Sequence, residues 1–367
     1  MATLKINLSY IHDNIDKLSD FTNSHSCEWS LVVKILGTHR ETLKELLKSP
    51  IIKRVHSLAV SQWQTLKVIK DIDESMVTMF IKPPVISNVE NIIRYADISF
   101  NTSLPTLQAL NEEARKQNKI HRVIIMIEMG ELREGIRREG LIPFYKSVFR
   151  LSNIEVIGLG TNLGCMLGIT PTYDKLIQLV LYQQLLEVMF KRKLPLVSGG
   201  SSISLPLLKK GKIPKGINHF RIGEAAFLGQ SPLYNKRFGE LHTDAFTFDA
   251  NIIELYKKRG HSDDIISDAA IGHSVIADPG NEQNQLSLEE PSFRAVVDFG
   301  MLNVDAQNLK PFSKSVSFFG NSSDMTVYDL GENPKHYKTG DILSFKPNYM
   351  AVAKLMIDRF INKELII

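Results

Sequence analysis

The sequence predicts an α/β fold, a (β/α)8 TIM barrel followed by a smaller, mainly β domain. Short β-type runs alternate with helical segments through the first 230 residues, and eight such runs can be counted. After Gly229-Gln230-Ser231-Pro232 the helical segments nearly cease while the β-type runs continue. A doubly wound sheet uses the same alternation, but eight regular βα units favour closure into a barrel.

In chain order, strands are expected near 31–34, 53–57, 77–81, 97–101, 122–128, 155–160, 194–199 and 219–223, each apolar and bounded by turn or helix signals. Helices are expected over 10–18, 40–47, 61–72, 88–95, 104–117, 143–151, 172–191 and 204–210. Leu104, Leu107, Leu110 and Ala114 keep an apolar helical stripe, as do Leu176, Leu179, Val180, Leu186 and Phe190. Beyond the barrel, strands are expected at 245–256, 294–299, 315–319, 325–329 and 341–345, with turns at Asp278-Pro279-Gly280 and Thr339-Gly340-Asp341 and a last helix over 350–361. The polar stretch 278–291 reads as a loop. The domains are therefore drawn as 1–230 and 231–367, with residues 1–9 a candidate to pair with the second domain.

Composition excludes several classes. Hydrophobic residues at 43% and charged residues at 23% are those of a soluble globular chain. The net charge of +4 is small, and the basic residues are scattered, with Lys209, Lys210, Lys212 and Lys215 the densest group, which disfavours nucleic acid. Cys27 and Cys165 cannot build a disulfide framework, which fits a reducing compartment. No run approaches the roughly 18 apolar residues of a membrane span, and residues 1–13 carry no signal-peptide core. The expected location is cytoplasmic, with no membrane partner.

Chemistry in such a barrel belongs at the C-terminal ends of its strands. Lys34 closes the first run, Ser30-Leu31-Val32-Val33-Lys34, where an ammonium is expected at the edge of a core; desolvation there favours the neutral, nucleophilic amine that a Schiff-base lysine requires. Glu128 closes the fifth run and Arg133 follows in its loop. The seventh enters Ser198-Gly199-Gly200-Ser201-Ser202, and the eighth ends in Arg221-Ile222-Gly223-Glu224. Small residues, hydroxyls and a helix start after strands seven and eight suit a phosphate; an ordinary glycine turn with an N-cap serine is the plain alternative. Gly158-x-Gly160-x-x-x-Gly164 follows a strand but departs from the GxGxxG spacing, so it is not read as a nucleotide loop. Asn162 and Cys165 fall at the mouth of the sixth strand.

Lys34 on strand one, Arg133 before Gly135-Ile136, the Ser/Gly loop and Arg221-Ile222-Gly223 resemble the fold-type III pyridoxal-phosphate enzymes of the alanine racemase superfamily. Leu4-Lys5-Ile6-Asn7-Leu8 and Tyr10-Ile11-His12-Asp13-Asn14-Ile15 look like its opening strand and helix. The segments Glu131-Leu132-Arg133-Glu134-Gly135, Gly160-Thr161-Asn162-Leu163-Gly164-Cys165, Ser198 to Pro206, Arg221 to Ala225 and Gly320-Asn321-Ser322-Ser323-Asp324 are most similar to the ornithine racemase branch. The resemblance implies a racemase of a basic amino acid such as ornithine or lysine, with pyridoxal 5'-phosphate as cofactor and no metal. Lys34 is implied to hold the cofactor and serve as one base, with Arg221 facing the ring nitrogen and Arg133 near the phenolate oxygen. Ser201, Ser202, Gly223, Glu224 and Tyr349 are implied at the phosphate. Arg133 could instead be a surface ion pair with Glu134, and Tyr349 a core residue.

One departure concerns the second base. The superfamily's Gly-Tyr-x-Asp-Gly segment reads Phe299-Gly300-Met301-Leu302-Asn303-Val304-Asp305 here, with methionine where a tyrosine is expected. Cys165, Asp324, His273 and Tyr328 are the candidates to replace it, Cys165 first. The resemblance further implies a head-to-tail homodimer, with the 321–324 segment brought to the partner's lysine. Asp324, or failing it Glu131, is expected to neutralise the distal ammonium of a basic substrate. Two other readings stay open: a non-catalytic pyridoxal-phosphate carrier, which the second domain argues against, and a decarboxylase or aldolase of the same fold. For the last, His242, Asp244 and His273 are not persuasively spaced as metal ligands.

Overall fold

A computed structural model describes residues 1–258, 272–274 and 291–367. The 278–280 turn and nearly all of the polar 278–291 stretch lie outside them. The described chain divides into two units, Tyr10–Thr243 and a second comprising Met1–Ser9 with Asp244–Ile367.

The chain opens with β1 (Thr3–Asn7) and α1 (Leu8–Ser24). The barrel strands follow: β2 (Glu28–Val32), β3 (Ser57–Val60), β4 (Thr78–Phe80), β5 (Ile98–Asn101), β6 (His121–Met126), β7 (Ile154–Gly160), β8 (Leu196–Ser201) and β9 (His219–Ile222). They close in sequence order, every pair parallel. Between them run α2 (Arg40–Lys48), α3 (Trp63–Ile72), α4 (Val89–Tyr95), α5 (Leu104–Lys116), α6 (Leu141–Val148), α7 (Tyr173–Phe190) and α8 (Leu205–Lys209), with α9 (Glu224–Leu228) after the last strand. The barrel expectation is met, and most runs agree within a few residues. The run at 53–57 is the exception: Pro50–Arg54 forms a 3-10 turn, because proline presets a helical φ at its start, and the strand begins at Ser57.

Alternate residues of a strand share a face. Val32, Ala59, Met79, Ile98, Phe100, Ile124, Met126 and Leu196 pack together as the interior of the barrel. Ser30, Ser57, Ser198, His219 and Arg221 lie at the same parity on β2, β3, β8 and β9, and all five are buried.

A short hairpin, β10 (Gln230–Ser231) with β11 (Lys236–Arg237), ends the barrel unit. In the second unit, β12 (Phe246–Lys258), β13 (Ser292–Val297), β14 (Leu309–Pro311), β15 (Ser317–Asn321), β16 (Thr326–Asp329) and β17 (Ile342–Pro347) form an antiparallel sheet in the order β14-β17-β12-β13-β16-β15. Then come α10 (Tyr349–Ile357) and β18 (Asn362–Ile366). β1 runs antiparallel to β12 and parallel to β18, so the first residues of the chain join this sheet. Phe248, Phe299, Tyr328 and Phe345 form its aromatic centre. Among the described residues no helix is long and apolar enough to cross a membrane.

Candidate active site at the barrel mouth

Lys34 follows β2 directly, but on a 3-10 turn over Val33–Leu36 rather than on the strand itself. Val33, Ile35 and Leu36 are buried and pin the turn, while Lys34 is exposed. The desolvation expected of a strand-end ammonium is therefore not found at this side chain. Across the closure from β2 to β9, a Cβ on Gly223 would sit 3.1 Å from both Cβ and O of Val32, so the Lys34 turn and the β9 loop are in close contact. Glu224, next in the chain, is half-buried; burial holds its carboxyl above the ordinary value, opposed by the hydrogen bond from Gln230 and by the charge of Lys34. On the same side, the Ser202 hydroxyl accepts the backbone N–H of Ala225 at 3.2 Å, tying the loop after β8 to α9. Ser201 pairs in register with Arg221.

Arg221 is the buried cation of the site, 4% exposed. Its Nη1 donates to Ser198 Oγ at 2.5 Å, and its Nη2 to the Thr161 carbonyl at 2.7 Å and to Asn162 Oδ1 at 2.6 Å. The guanidinium also lies over the Phe100 ring, 4.8 Å from its centroid. Gly160 makes that stack possible: a Cβ there would meet Phe100 Cε1 at 3.2 Å and Ser198 Cβ at 3.1 Å. Gly158 and Gly160 are thus spacing residues of a closed barrel, consistent with setting aside a nucleotide loop. Burial pushes the Arg221 guanidinium down to about 10, with Arg133 adding to the shift and Glu134 opposing it, so it stays charged near neutrality.

Arg133 projects from the loop after β6. That loop is closed at its base by Ile136 N–H to the Met126 carbonyl at 2.8 Å and Glu128 N–H to the Ile136 carbonyl at 3.1 Å. Only glycine fits before Ile136, since Gly135 has φ +135° and a Cβ would approach Glu128 N to 2.4 Å. Arg133 makes a forked pair with Glu134, and its Nη1 donates to Cys165 Sγ at 2.6 Å. The plain reading of Arg133 as an ion pair with Glu134 holds. Burial opposes ionisation of Glu134, but the Arg133 fork outweighs it and holds the carboxyl below its usual value. Glu134 also accepts from Asn162, so one hydrogen-bonded chain runs Cys165, Arg133, Glu134, Asn162, Arg221, Ser198.

Glu131 takes no part in that chain. It is 2% exposed, and its two oxygens accept the backbone N–H groups of Cys165, Met166, Leu167 and Ile169 at 2.7–3.1 Å. It builds the loop carrying Cys165 and has no oxygen to offer a substrate ammonium, which removes it from the sequence-based candidates. Glu134 and Asn162 carry more of the site than sequence reasoning assigned them. The available signals were the juxtaposition of Arg133 with Glu134 and the place of Asn162 at the mouth of the sixth strand.

Tyr349 and Asp324 belong to the second unit. Tyr349 opens α10, behind an Asn348 cap that accepts the Ala351 N–H at 3.0 Å. Asp324 is exposed and accepts from Ser323 Oγ at 2.7 Å. Its turn holds the Met301 segment, through Met301 N–H to the Ser322 carbonyl and Leu302 N–H to the Ser323 carbonyl, both at 3.0 Å. His273 joins them, its carbonyl accepting the Asn321 N–H and its own N–H donating to Asn321 Oδ1, both at 2.9 Å. Met301, Asp324 and His273 thus share one loop cluster. Tyr328 does not: it is 1% exposed within the aromatic centre. Among the described residues no cluster of side chains could hold a metal ion.

Residues 6–231 match the family model "Alanine racemase, N-terminal domain". The chain is 33% identical over 364 residues to an ornithine racemase of Acetoanaerobium sticklandii, covering 99% of both chains. It is 28% identical to a lysine racemase of Thermotoga maritima, covering 98% of this chain and 97% of that one. Among solved structures, the alanine racemase of Bartonella henselae with covalently bound pyridoxal phosphate superposes with a TM-score of 0.72 at 14% identity, covering 100% and 99% of the two chains, and so shares the fold. With the closed barrel, the second antiparallel unit and full-length similarity in agreement, the chain belongs to the alanine racemase family.

Proposed function

We propose that this chain is a pyridoxal-phosphate-dependent racemase of a basic amino acid, ornithine or lysine, working in the cytoplasm as a head-to-tail homodimer. The observation that carries the reading is the pairing of an exposed amine, Lys34, with a buried guanidinium, Arg221, at one barrel mouth. The residues present fit the cofactor. Arg221 has five N–H donors and three acceptors within the barrel, which leaves two for a ring nitrogen. The close approach at Gly223, the Ser202 hydroxyl and the backbone amides of Gly223 and Glu224 suit a phosphate nearby. Bound pyridoxal phosphate supplies the electron sink that makes a Cα proton removable.

The chain's own residues do the rest. Lys34 anchors the cofactor, yields that position to the substrate amine, and then holds or returns the Cα proton on one face. Arg221 would donate a hydrogen bond to the ring nitrogen and keep its own proton, which would weaken the electron sink and favour return of the proton to Cα. Arg133, fixed by Glu134, stands at the cofactor's phenolate side. On the opposite face of Cα the proton goes to Cys165, whose sulfur lies against the Arg133 charge. Asp324 of the partner subunit neutralises the distal ammonium, because an unpaired buried charge costs several kcal/mol.

The test is circular-dichroism monitoring of cofactor-loaded protein against single-enantiomer ornithine, lysine and alanine. Loss of signal with the basic amino acids is expected, and a flat trace for all three overturns the reading. Asp324→Asn should lose roughly 2 kcal/mol in kcat/KM terms for ornithine and spare alanine; equal loss for both would assign Asp324 another role. Sedimentation at micromolar concentration checks the dimer, which a fully active monomer would rule out.

A further inference from the structure

We propose that His219, acting through the Ser198 hydroxyl, is the positioning residue that fixes the orientation of the Arg221 guanidinium. The inference rests on the cofactor reading above for its consequence, but its geometry stands inside the barrel without it. His219 and Arg221 are two apart on β9 and share the interior face. His219 is 1% exposed, and both ring nitrogens have partners: Nδ1 lies 2.9 Å from Ser198 Oγ and Nε2 lies 2.8 Å from Ser30 Oγ. Ser30 Oγ is in turn 2.7 Å from Ser57 Oγ, and the His56 Nδ1 is 3.2 Å from Ser57 Oγ. The His56 ring stands edge-on to that of His219, centroids 5.3 Å apart.

Donor arithmetic gives this line a single direction. A guanidinium can only donate, so Ser198 Oγ accepts from Arg221 Nη1. A serine oxygen can accept twice, but His219 Nδ1 is the acceptor within reach of the Ser198 proton, so the arrangement that satisfies every group has Nδ1 as the unprotonated nitrogen of the ring. Nε2 carries the hydrogen and donates to Ser30, whose own proton has Ser57 Oγ and Met79 Sδ as acceptors within reach. A neutral ring is what this requires, and burial, with the charges of His56 and Arg221, holds His219 well below its ordinary value. Protonating His219 would put two donors against Ser198 and Ser30 and a second positive charge beside Arg221. An apolar residue at 219 would instead leave the Ser198 proton without an acceptor in the core, and a hydroxyl free to rotate holds Arg221 poorly.

Four variants test this: His219→Leu, His219→Asn, Ser198→Ala and the double Ser198→Ala/His219→Leu. Asparagine keeps an acceptor where Nδ1 stands; leucine does not. Titration with pyridoxal phosphate should show the dissociation constant rising roughly tenfold for His219→Leu and for Ser198→Ala, about the loss of one hydrogen bond to a charged group. The absorbance maximum of the bound cofactor should shift with it. The double variant should be no worse than the weaker single, since both break one line, and His219→Asn should stay near wild type. Unchanged affinity and spectrum in folded His219→Leu overturn the proposal, as does a double variant whose losses multiply. A second arm needs no cofactor. Side-chain nitrogen NMR of the unloaded protein should show slow exchange at the Arg221 Nη groups in wild type and fast exchange in His219→Leu and Ser198→Ala; equal exchange in all three also overturns it. If wild type binds no pyridoxal phosphate, the cofactor reading fails while this arm still decides the role of His219.

Discussion

Inside one barrel, β4, β5 and β6 present Met79, Ile98, Phe100, Ile124 and Met126, whereas β2, β3, β8 and β9 present Ser30, Ser57, Ser198, His219 and Arg221. The first wall is held by non-directional burial, which tolerates any apolar side chain of the right volume. The second is held by directed hydrogen bonds, so a change at one position is felt at the next. The two meet where Phe100 lies under Arg221. Val32, Ala59 and Leu196 carry the apolar cluster onto β2, β3 and β8, so stability and positioning are separated by side chain rather than by whole strand, and mutations should sort accordingly.

The largest effect lies at the rim, outside both walls. Lys34→Ala should abolish turnover and remove the borohydride-reducible link to the cofactor, read by mass spectrometry of the reduced protein. Because Lys34 is exposed, the same variant should keep its stability within about 0.5 kcal/mol of wild type. A reducible link surviving in Lys34→Ala would assign the cofactor lysine elsewhere.

Next is the apolar wall. Ile124 is fully buried, and Ile124→Ala should cost about 2–5 kcal/mol in urea unfolding through lost burial and the cavity left behind. Per folded molecule, kcat and substrate preference should be unchanged, whereas Ser198→Ala should do the reverse. If Ile124→Ala altered the cofactor spectrum in folded protein, the separation of the walls would fail.

Fold and site were not equally legible in the sequence. Alternation of β-type runs and helical stripes is a local signal, and it placed seven of the eight barrel strands within a few residues, the run at 53–57 touching its strand only at Ser57. It missed Asn362–Ile366, whose partner is Thr3–Asn7 at the other end of the chain. Lys34 was identified by its place after an apolar run, but nothing local shows that the chain leaves the strand at Val32 and turns. Ser198 read as part of a phosphate loop because Gly199 and Gly200 look like a turn; β8 in fact continues to Ser201, leaving Ser198 in the interior. His219 had no signal at all, since its partners come from β2 and β8. Long-range pairing is what a single sequence conceals.

Glu131 gives the smallest effect and the clearest pH signature. It looked like a substrate-binding acid, yet its four acceptor bonds tie down the 165–169 loop that carries Cys165 to Arg133. Burial raises its carboxyl, but the amides of Leu167, Cys165, Met166 and Ile169 outweigh this and leave it below the ordinary value. A folded value below the unfolded one means the group binds fewer protons when folded, so its contribution is fully present above the unfolded value of about 4.3 and is lost as pH falls through the folded one. Glu131→Gln turns one acceptor oxygen into a donor facing N–H groups, and should cost about 1–2 kcal/mol at pH 7. The gap between wild type and Glu131→Gln in urea unfolding should then narrow steadily as pH falls below about 4.3. A gap independent of pH would mean that the loop is held by packing, and that the polar wall ends at Arg133 rather than reaching the loop beyond it.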